Sequence, residues 1–417
     1  MKLTVDQRWE LVEKISKETV ELGKHELSLK DALADVTVRP ATGIPFAIAV
    51  IYGFWVFFRE FAGTLFTDGF FVKIFDGHWL PWLQGVFPGK DTWLYFIFVG
   101  DPLANNSFEA FGVLTSGIFL AIGVVLPAIV AFYLIFAILE DVGYMPRLAV
   151  LVDTLFHRIG LHGFAIVPTI LSLGCNVPGI AATRALETRK QRFLAITLLG
   201  VFIPCGAQIG VMERMIPGLI GWVFLALAVG YFGVGWIINK IVPGESPEIL
   251  MDVPPYQLPT ARNIWNKLRI RTSKFLTVAV PFVLLGCVIV AALYITGAMD
   301  AIASGLSPVV TGVFGLPQDT AAAMIAGFLR KDLAVGTIGM LAAGGVTITV
   351  YQVFTAVVLL SVYFPCLATF ALMLKELNWK EILGALATLI VVVFLYGVIL
   401  HLIGLSGIGS SIWVPLE

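Results

Sequence analysis

The sequence predicts an all-α polytopic membrane protein, and three observations support this fold class. Hydrophobic residues occupy 58% of the 417 positions and charged residues only 13%, about half the charged share of a soluble domain. Several apolar runs reach the roughly 20 residues that a helix needs to cross a bilayer. The period-two alternation of a transmembrane barrel is missing from these runs. The net charge of −1 gives no information about nucleic acid, but no basic tract lies outside the helix flanks, so we expect no nucleic acid partner.

The first half of the chain divides into three predicted segments. Residues 1–40 place apolar positions at helical spacing among charges, which predicts a cytoplasmic amphipathic helical prelude. Residues 41–106 predict a first transmembrane span and then an extracytoplasmic loop, because "GHWLPWLQGVFPGKDTWLYF" suits a headgroup-level tryptophan belt. Residues 107–242 predict the first of two repeats. Its spans are expected near 111–139, 193–212 and 219–241.

The second half follows a polar linker. Residues 243–274 contain Pro-Gly and Pro-Pro pairs and then the basic stretch "ARNIWNKLRIRTSK", which predict a cytoplasmic linker and an interfacial helix. Residues 275–417 predict the second repeat and a C-terminal span. Its spans are expected near 275–294, 350–374 and 382–403. Each half also has a shorter interrupted segment that we expect to be re-entrant, at 164–178 and 321–341.

Similarity between the halves predicts that they are related by inversion. The motif "IPCGAQ" beginning at Ile203 matches "FPCLAT" beginning at Phe364. Three full crossings in each half is an odd number, so the second copy is expected to be inverted, with a binding site near the midplane. Lysine and arginine clusters at 184–192, 240–274 and 375–380 are expected to face the cytoplasm.

The two Pro-Cys pairs predict broken helices that expose carbonyl oxygens beside a thiol. Proline in a helix frees the carbonyl four residues earlier, which is Gly200 for Pro204 and Ser361 for Pro365. A freed carbonyl in lipid needs a neighbour, water or an ion as its partner. For either pair alone a packing role stays open, since proline kinks are common in membrane helices and cysteine is often an apolar filler.

Three cysteines beside such breaks predict a path for a soft or borderline metal cation. Cys205 and Cys366 follow the two prolines, and Cys175 lies in a third break, "LGCNVPG". Thiols suit Fe²⁺, Zn²⁺ or Cu⁺ and suit Na⁺ or Mg²⁺ poorly. Asn176 and Gln208 are expected to add amide oxygens. Mixed and incomplete coordination favours release of a transported ion.

Two groups of charged residues at or near membrane depth are expected to act in gating or ion exit. Glu140 and Asp141 end the second span in "LEDVGYMPR", where they are either solvated or form an exit site or gate latch. Arg330, Lys331 and Asp332 in "GFLRKD" are flanked by apolar residues, and such charges are costly unless paired or hydrated. We expect a salt-bridged gate element in which Asp332 pairs with Arg330 or Lys331.

These motifs resemble the membrane domain of the FeoB family of bacterial and archaeal ferrous iron transporters. The matching stretches include "LEDVGYMPR", "GCNVPGIAATR", "ETRKQR", "GFLRKDLAVGTIGML" and "FPCLATFALMLKEL", and the similarity extends over nearly the whole chain. The resemblance implies two inverted Gate-type repeats with broken or re-entrant helices in the cytoplasmic membrane. It also implies that Fe²⁺ is the transported substrate, with no bound cofactor, and that Cys175, Cys205 and Cys366 line its route.

Two departures from the family pattern concern coupling and selectivity. FeoB proteins normally begin with a GTP-binding domain, but "GVFPGKDT" has too short a glycine spacing for a phosphate loop and no strand before it. The chain is therefore expected not to be an enzyme, and the G protein is a separate chain, lies outside this piece, or has been lost. The second departure is Gln208, which stands where the family has an arginine.

Alternatives from other functional classes stay open at this point. Gate-like halves occur in other membrane families, so one alternative is a nucleoside or small-solute transporter, and another is a non-transporting membrane assembly factor. The expected partners are the lipid bilayer, ferrous iron, and a separate G protein or small regulatory protein on the cytoplasmic face. A second copy of the chain is a further candidate partner. Mn²⁺ and Zn²⁺ are also compatible with the predicted donors.

Overall fold

The computed structural model describes residues 36–87, 92–100, 112–216, 218–244, 255–329 and 349–405, together with residues 102, 107, 110, 331 and 334. Every regular element within these residues is helical, which confirms the predicted all-α class. The predicted prelude up to residue 35, most of the second interrupted segment after residue 329, and the predicted gate residues Arg330 and Asp332 lie outside the described residues.

The described part of the first half consists of helices separated by short breaks. They are α1 Pro40–Val86, α2 Trp93–Phe98, α3 Val113–Val142, α4 Tyr144–Arg158, α5 Gly163–Gly174, α6 Asn176–Ala182, α7 Arg189–Phe202, α8 Gly206–Met215 and α9 Ile220–Ile241. α1 is continuous but changes pitch, with π-helical turns at Arg59–Phe71 and Phe75–Trp79.

The second half has a corresponding series of helices. They are α10 Ala261–Lys274, α11 Val280–Ile295, α12 Ala298–Gly312, α13 Thr320–Leu329, α14 Val350–Val362, α15 Leu367–Glu376 and α16 Trp379–Leu405. A π-helical turn, Phe275–Ala279, joins α10 to α11.

Six helical stretches among the described residues are long and apolar enough to cross a membrane. They are Pro40–Val86, Val113–Val142, Arg189–Glu213, Ile220–Ile241, Val350–Glu376 and Trp379–Leu405. The third and fifth contain the two Pro-Cys breaks, and α4 meets α5 at a bend of 106°. The remaining predicted span, near 275–294, corresponds to α11, which has a shorter apolar stretch, Val283–Leu293. These helices confirm a multi-pass membrane protein.

α1 continues beyond the predicted first span, into residues that the sequence assigned to an extracytoplasmic loop. Thr67 Oγ1 donates to the Gly123 carbonyl of α3 at 3.0 Å, and Phe75 packs against Phe119 of the same helix. These contacts dock the aromatic segment along α3, where a helix satisfies its backbone. The predicted loop is therefore helical as far as Val86.

The first helix of each Pro-Cys span begins with the same capping structure. Thr188 accepts a hydrogen bond from the Gln191 amide before α7, and Thr349 accepts one from the Gln352 amide before α14. Each glutamine side chain returns a bond to the backbone of its threonine. This reciprocal capping box fixes where each helix starts. It is a further sign that the two halves are repeats.

Contacts at the two ends of the bundle show that α7 and α14 run in opposite directions. At one end, Arg189 pairs with Glu381, so α7 and α16 begin side by side. At the other end, Tyr351 at the start of α14 donates to the Leu400 carbonyl near the end of α16. α14 therefore starts at the end of the bundle that lies opposite the start of α7.

The last helices of the two repeats, α9 and α16, also run in opposite directions. Lys190 Nζ, at the start of α7, donates to the Gly244 carbonyl just after α9 at 2.9 Å. α9 therefore ends at the side of the bundle where α16 begins. Corresponding helices of the two halves thus have opposite polarity, which is the arrangement of an inverted repeat.

The two repeats share one packed core that contains the Pro-Cys breaks. Leu194 and Leu198 of α7, and Val357 and Val358 of α14, have no exposed surface. In lipid, close van der Waals packing and hydrogen bonds between helices replace water exclusion as the source of helix association. Because α7 and α14 both lie in this core, their breaks lie between the repeats and away from the lipid-facing surface.

Candidate functional site

Each of the three predicted cysteines lies directly before a helix and after a helical break. Cys175 separates α5 from α6, Cys205 precedes α8, and Cys366 precedes α15, all with backbone angles outside the helical region. α8 and α15 each run for ten residues. Their amino-terminal ends carry partial positive charge, so Cys205 and Cys366 occupy positions that suit a negatively charged ligand atom.

Glycine residues bring the first two breaks into direct contact. A Cβ atom on Gly206 would lie 3.2 Å from the Gly174 carbonyl oxygen. The residue after Cys205 therefore packs closely on the residue before Cys175, where a glycine avoids a tight contact. The hairpin between α5 and α6 is more demanding, since a Cβ atom on Gly179 would overlap a side chain of α5.

The third break lies next to the other two. A Cβ atom on Gly200 of α7 would lie 4.0 Å from the Cβ of Pro365, so α7 contacts the break between α14 and α15. Cys175 is within electrostatic range of both Cys366 and Cys205. The structure therefore gathers the three cysteines, which are distant in sequence, into one region between the repeats.

Lys331 lies in the same region and bonds the two carbonyls that the prolines free. Its Nζ atom donates to the Ser361 carbonyl at 2.8 Å and to the Gly200 carbonyl at 3.4 Å. The side chain is buried, with 3% of the residue exposed, and it lies within electrostatic range of Cys366 and Cys205. The sequence predicted the freed carbonyls and a functional Lys331, but did not predict that they are partners. The expected pairing with Asp332 falls outside the described residues.

Two amide side chains are held by their nitrogen atoms. Asn176 Nδ2 donates to the Ile203 carbonyl at 3.2 Å, and Gln208 Nε2 donates to the Ser361 hydroxyl at 3.1 Å. The oxygen atoms Asn176 Oδ1 and Gln208 Oε1 are buried and have no partner among the described residues. Buried acceptors are normally satisfied. Both amides are therefore oriented with a buried oxygen that is free of hydrogen bonds among the described residues, and their role as ligands of a cation stays a prediction.

The cysteines do not form a closed metal site. Within the described ranges, no three side chains of His, Cys, Asp or Glu lie close enough together to hold one metal ion. A structural zinc site, by contrast, would place four such ligands around one point. The arrangement has thiols, amide oxygens and carbonyls spaced along a region, which suits a cation that passes through and is released.

Glu140 and Asp141 form a latch between α3 and the interfacial helix α10. Lys267 Nζ lies 3.0 Å from Glu140 Oε1 and also bonds Asp141, while Arg271 Nη2 lies 3.1 Å from Glu140 Oε2. Burial alone would lower the pKa of Lys267, but hydrogen bonds to Asp141 and Glu140 outweigh it and raise that pKa. Both carboxylates are therefore ion-paired with α10, and their expected role in gating or ion exit stays a prediction.

A second set of ion pairs joins the two repeats, and sequence reasoning assigned it no role. Arg184 pairs with Glu376, and Arg189 forms two parallel bonds of 2.9 Å with Glu381. In both pairs the partners are separated by 192 residues. The sequence features that correspond to these pairs are two arginines that follow the first broken segment and two glutamates that follow the second Pro-Cys break. We call these two pairs the clasp.

Comparison with protein families agrees with this architecture. The family model described as "Nucleoside recognition" (Gate) matches residues 122–217 and 276–380, once in each half. The model described as "Ferrous iron transport protein B C terminus" (FeoB_C) matches residues 219–271, which cover α9 and most of α10. The fold and the matches define a polytopic membrane protein built on two Gate-type repeats. More particularly, the chain has an FeoB-type transmembrane domain.

Curated relatives are similar over most of this chain. "Fe(2+) transporter FeoB" of Methanocaldococcus jannaschii is 23% identical over 441 residues, which cover 96% of this chain and 62% of that protein. The protein of the same name from Staphylococcus aureus (strain MSSA476) is 27% identical over 326 residues, which cover 69% of this chain and 49% of that protein. The chain therefore spans about half to three fifths of these relatives' length. No solved structure matches it.

A further relative joins two proteins in one polypeptide. The "Fe(2+) transport protein A/Fe(2+) transporter FeoB fusion protein" of Porphyromonas gingivalis is 27% identical over 282 residues, which cover 64% of this chain and 31% of that protein.

Proposed function

We propose that this chain forms the membrane pathway of a ferrous iron uptake transporter in the cytoplasmic membrane, with Fe²⁺ as its transported substrate. The curated relatives are named Fe(2+) transporters, which supports the choice of metal. The donor chemistry supports it independently, since thiols combined with amide and carbonyl oxygens suit a borderline divalent cation.

One observation carries the proposal more than any other. Three helical breaks, each with a cysteine at the start of the next helix, meet between two inverted repeats. Inverted-repeat transporters place their substrate sites at such breaks, because unwound backbone exposes polar groups to the ion. We therefore assign Cys175, Cys205 and Cys366 to the ion path, with oxygen donors from Asn176 and Gln208.

Control of transport is proposed to act from the face that carries the clasp and the latch. The lysine and arginine clusters gather there, which supports a cytoplasmic orientation for this face by the positive-inside rule. The Porphyromonas relative fuses a protein A unit to its transporter, which supports a small regulatory protein as a partner. A GTP-binding unit, acting in the same polypeptide or as a separate chain, is the other proposed partner at this face.

The test is anaerobic metal uptake by the purified protein in lipid vesicles. The panel contains Fe²⁺, Mn²⁺, Zn²⁺ and one nucleoside, and wild type is compared with Cys175→Ser and with a triple serine variant at Cys175, Cys205 and Cys366. Serine preserves size but supplies a harder, poorly ionised ligand. Fe²⁺ uptake is expected to fall at least about tenfold in the triple variant, because losing even the outer-shell partners of a metal site costs about 10–100-fold in affinity or activity.

A matched control comes from the fourth cysteine. Cys287 is buried in α11 and packs against Gly117, in an unbroken helix. Cys287→Ser should therefore leave the Fe²⁺ flux unchanged. Normal Fe²⁺ flux in the triple variant would show that the thiols only pack. Nucleoside uptake without metal uptake would replace the proposal with the small-solute alternative.

A further inference from the structure

Lys331 is a buried cation whose role the proposed metal path does not use. Only 3% of the residue is exposed, although an ammonium group at membrane depth is among the most costly groups to bury. Such a group persists where its surroundings supply compensating partners. The partners of Lys331 therefore indicate what this position in the molecule is built to hold.

The groups around Lys331, carbonyl oxygens and thiols, are also groups that can act as metal ligands. The Nζ atom donates to the Ser361 and Gly200 carbonyl oxygens at 2.8 and 3.4 Å, and it lies within electrostatic range of Cys205 and Cys366. The two carbonyls come from equivalent positions of the two repeats, four residues before each proline. The ammonium group thus lies between the repeats and bridges their two breaks.

We infer that Lys331 is a tethered cation, which occupies the divalent-cation position between the repeats and which an entering metal ion must displace. The inference rests on the proposed function for the identity of the cargo, and adds a residue that controls access to its site. With the ammonium in place, the freed carbonyls have a hydrogen-bond partner, and the carbonyls and nearby thiols are not open to other cations.

The chemistry of lysine suits this role. Its ammonium is a compact point charge with three donors at the end of a flexible four-carbon stem. It can therefore satisfy two carbonyls near thiols, as a small metal ion would, and can withdraw by rotation of its stem. A guanidinium in its place would be larger and planar, and would fit a carboxylate better than two carbonyls from different helices.

The test is a binding titration that does not depend on transport. The purified protein is titrated anaerobically with Co²⁺, whose thiolate complexes absorb in the near ultraviolet, and wild type is compared with Lys331→Gln. Glutamine removes the charge but keeps an N–H donor for the carbonyls, so the fold is preserved. The Co²⁺ concentration at half saturation is expected to fall at least about tenfold, because a fixed positive charge next to the metal is removed.

A matched control and the contrary outcomes make the result decisive. Lys380→Gln removes an exposed lysine from the start of α16 and should leave the titration unchanged. Equal or weaker Co²⁺ binding in Lys331→Gln, with wild-type binding intact, overturns the inference and leaves the proposed function standing. No Co²⁺–thiolate signal in either protein overturns both.

Discussion

At Gln208, a single side chain shows how the fold orients an amide group. Its nitrogen is bound by the Ser361 hydroxyl, which itself donates to the Val357 carbonyl at 2.7 Å. This chain of bonds fixes the amide and leaves Oε1 buried without a partner among the described residues. The sequence predicted that the Gln208 amide adds an oxygen to the ion path. It did not predict the orientation, which depends on a hydroxyl that lies 153 residues away.

The first prediction removes this oxygen. In Gln208→Leu the side chain keeps a similar size but loses both the bond to Ser361 and the free acceptor. Co²⁺ binding is expected to weaken about fivefold, since one neutral polar contact contributes about 1 kcal/mol. The midpoint of thermal unfolding should change little, because donor and acceptor are removed together and Ser361 still donates to Val357.

The control for this prediction is Thr197→Val. Thr197 is fully buried in α7, and its hydroxyl has no partner among the described residues. The substitution removes a buried polar atom from the same helix that leads to the path, without touching the proposed donors. Metal binding that is unchanged in Gln208→Leu would contradict a ligand role for Gln208.

At the scale of elements, α10 is held on α3 by charge and by aromatic packing together. Its lysine and arginine pair with Glu140 and Asp141, and the Arg271 guanidinium lies 5.0 Å from the centre of the Phe136 ring and 5.3 Å from that of Tyr133. Cation–π contacts of this kind strengthen when they are partly desolvated. The helix that joins the two halves is thereby fixed at the end of a membrane span.

The second prediction weakens this latch. Asp141→Asn removes the charge that bonds Lys267, and the docking of α10 is expected to lose about 1 kcal/mol after allowance for partial exposure. Trypsin should then cut faster at the exposed Arg262 at the start of α10. Glu187→Gln, an exposed carboxylate away from the latch, serves as the control. Equal cleavage rates in the two variants would show that the charge of Asp141 does not help to hold α10 on α3.

The third prediction concerns the pH dependence of the same latch. The pKa of Lys267 is raised above its ordinary value of 10.5, so its contribution is complete below that pH and is lost as pH rises through the raised pKa. Protection of Arg262 from a protease active at high pH should stay constant up to about pH 10 and then decrease. Protection that decreases below about pH 9 would contradict the role of Lys267.

The sequence predicted where the helices break, but it did not predict which helices pack against each other. The Pro-Cys motifs predicted the interruptions after α7 and α14, and the freed carbonyls of Gly200 and Ser361, because proline acts locally on its own helix. The latch pairs Lys267 with a residue 126 positions away, and the clasp joins residues 192 apart. No local pattern specifies such partners. The aromatic segment of α1 was assigned to a loop for the same reason, since only α3 supplies its contacts.

At the scale of the whole molecule, the ion pairs that join the two repeats lie at one end of the helix bundle. The Arg189–Glu381 pair of the clasp joins the start of α7 to the start of α16, and Lys190 donates to the Gly244 carbonyl just after α9. At the opposite end, Gln352 at the start of α14 donates to the Gly315 carbonyl at 3.1 Å. Ion pairs thus tie the two repeats together at one end of the bundle, whereas the bond at the other end is neutral and lies within the second repeat. Such an asymmetry of charge between the two ends is expected for a protein that spans a membrane.

The last prediction assigns these faces to compartments. Lys380, beside the clasp, should face the cytoplasm, and Gln318, next to Gly315, should face outside, because basic clusters are retained on the cytoplasmic side. Both side chains are exposed. In intact cells, a membrane-impermeant maleimide should label Gln318→Cys, and should label Lys380→Cys only after the membrane is opened. The four native cysteines are buried or half-buried, so the unsubstituted protein measures the background. Labelling of both positions from one side would mean that the chain between them crosses the membrane an even number of times, and that the second repeat is not inverted as its helix polarity requires.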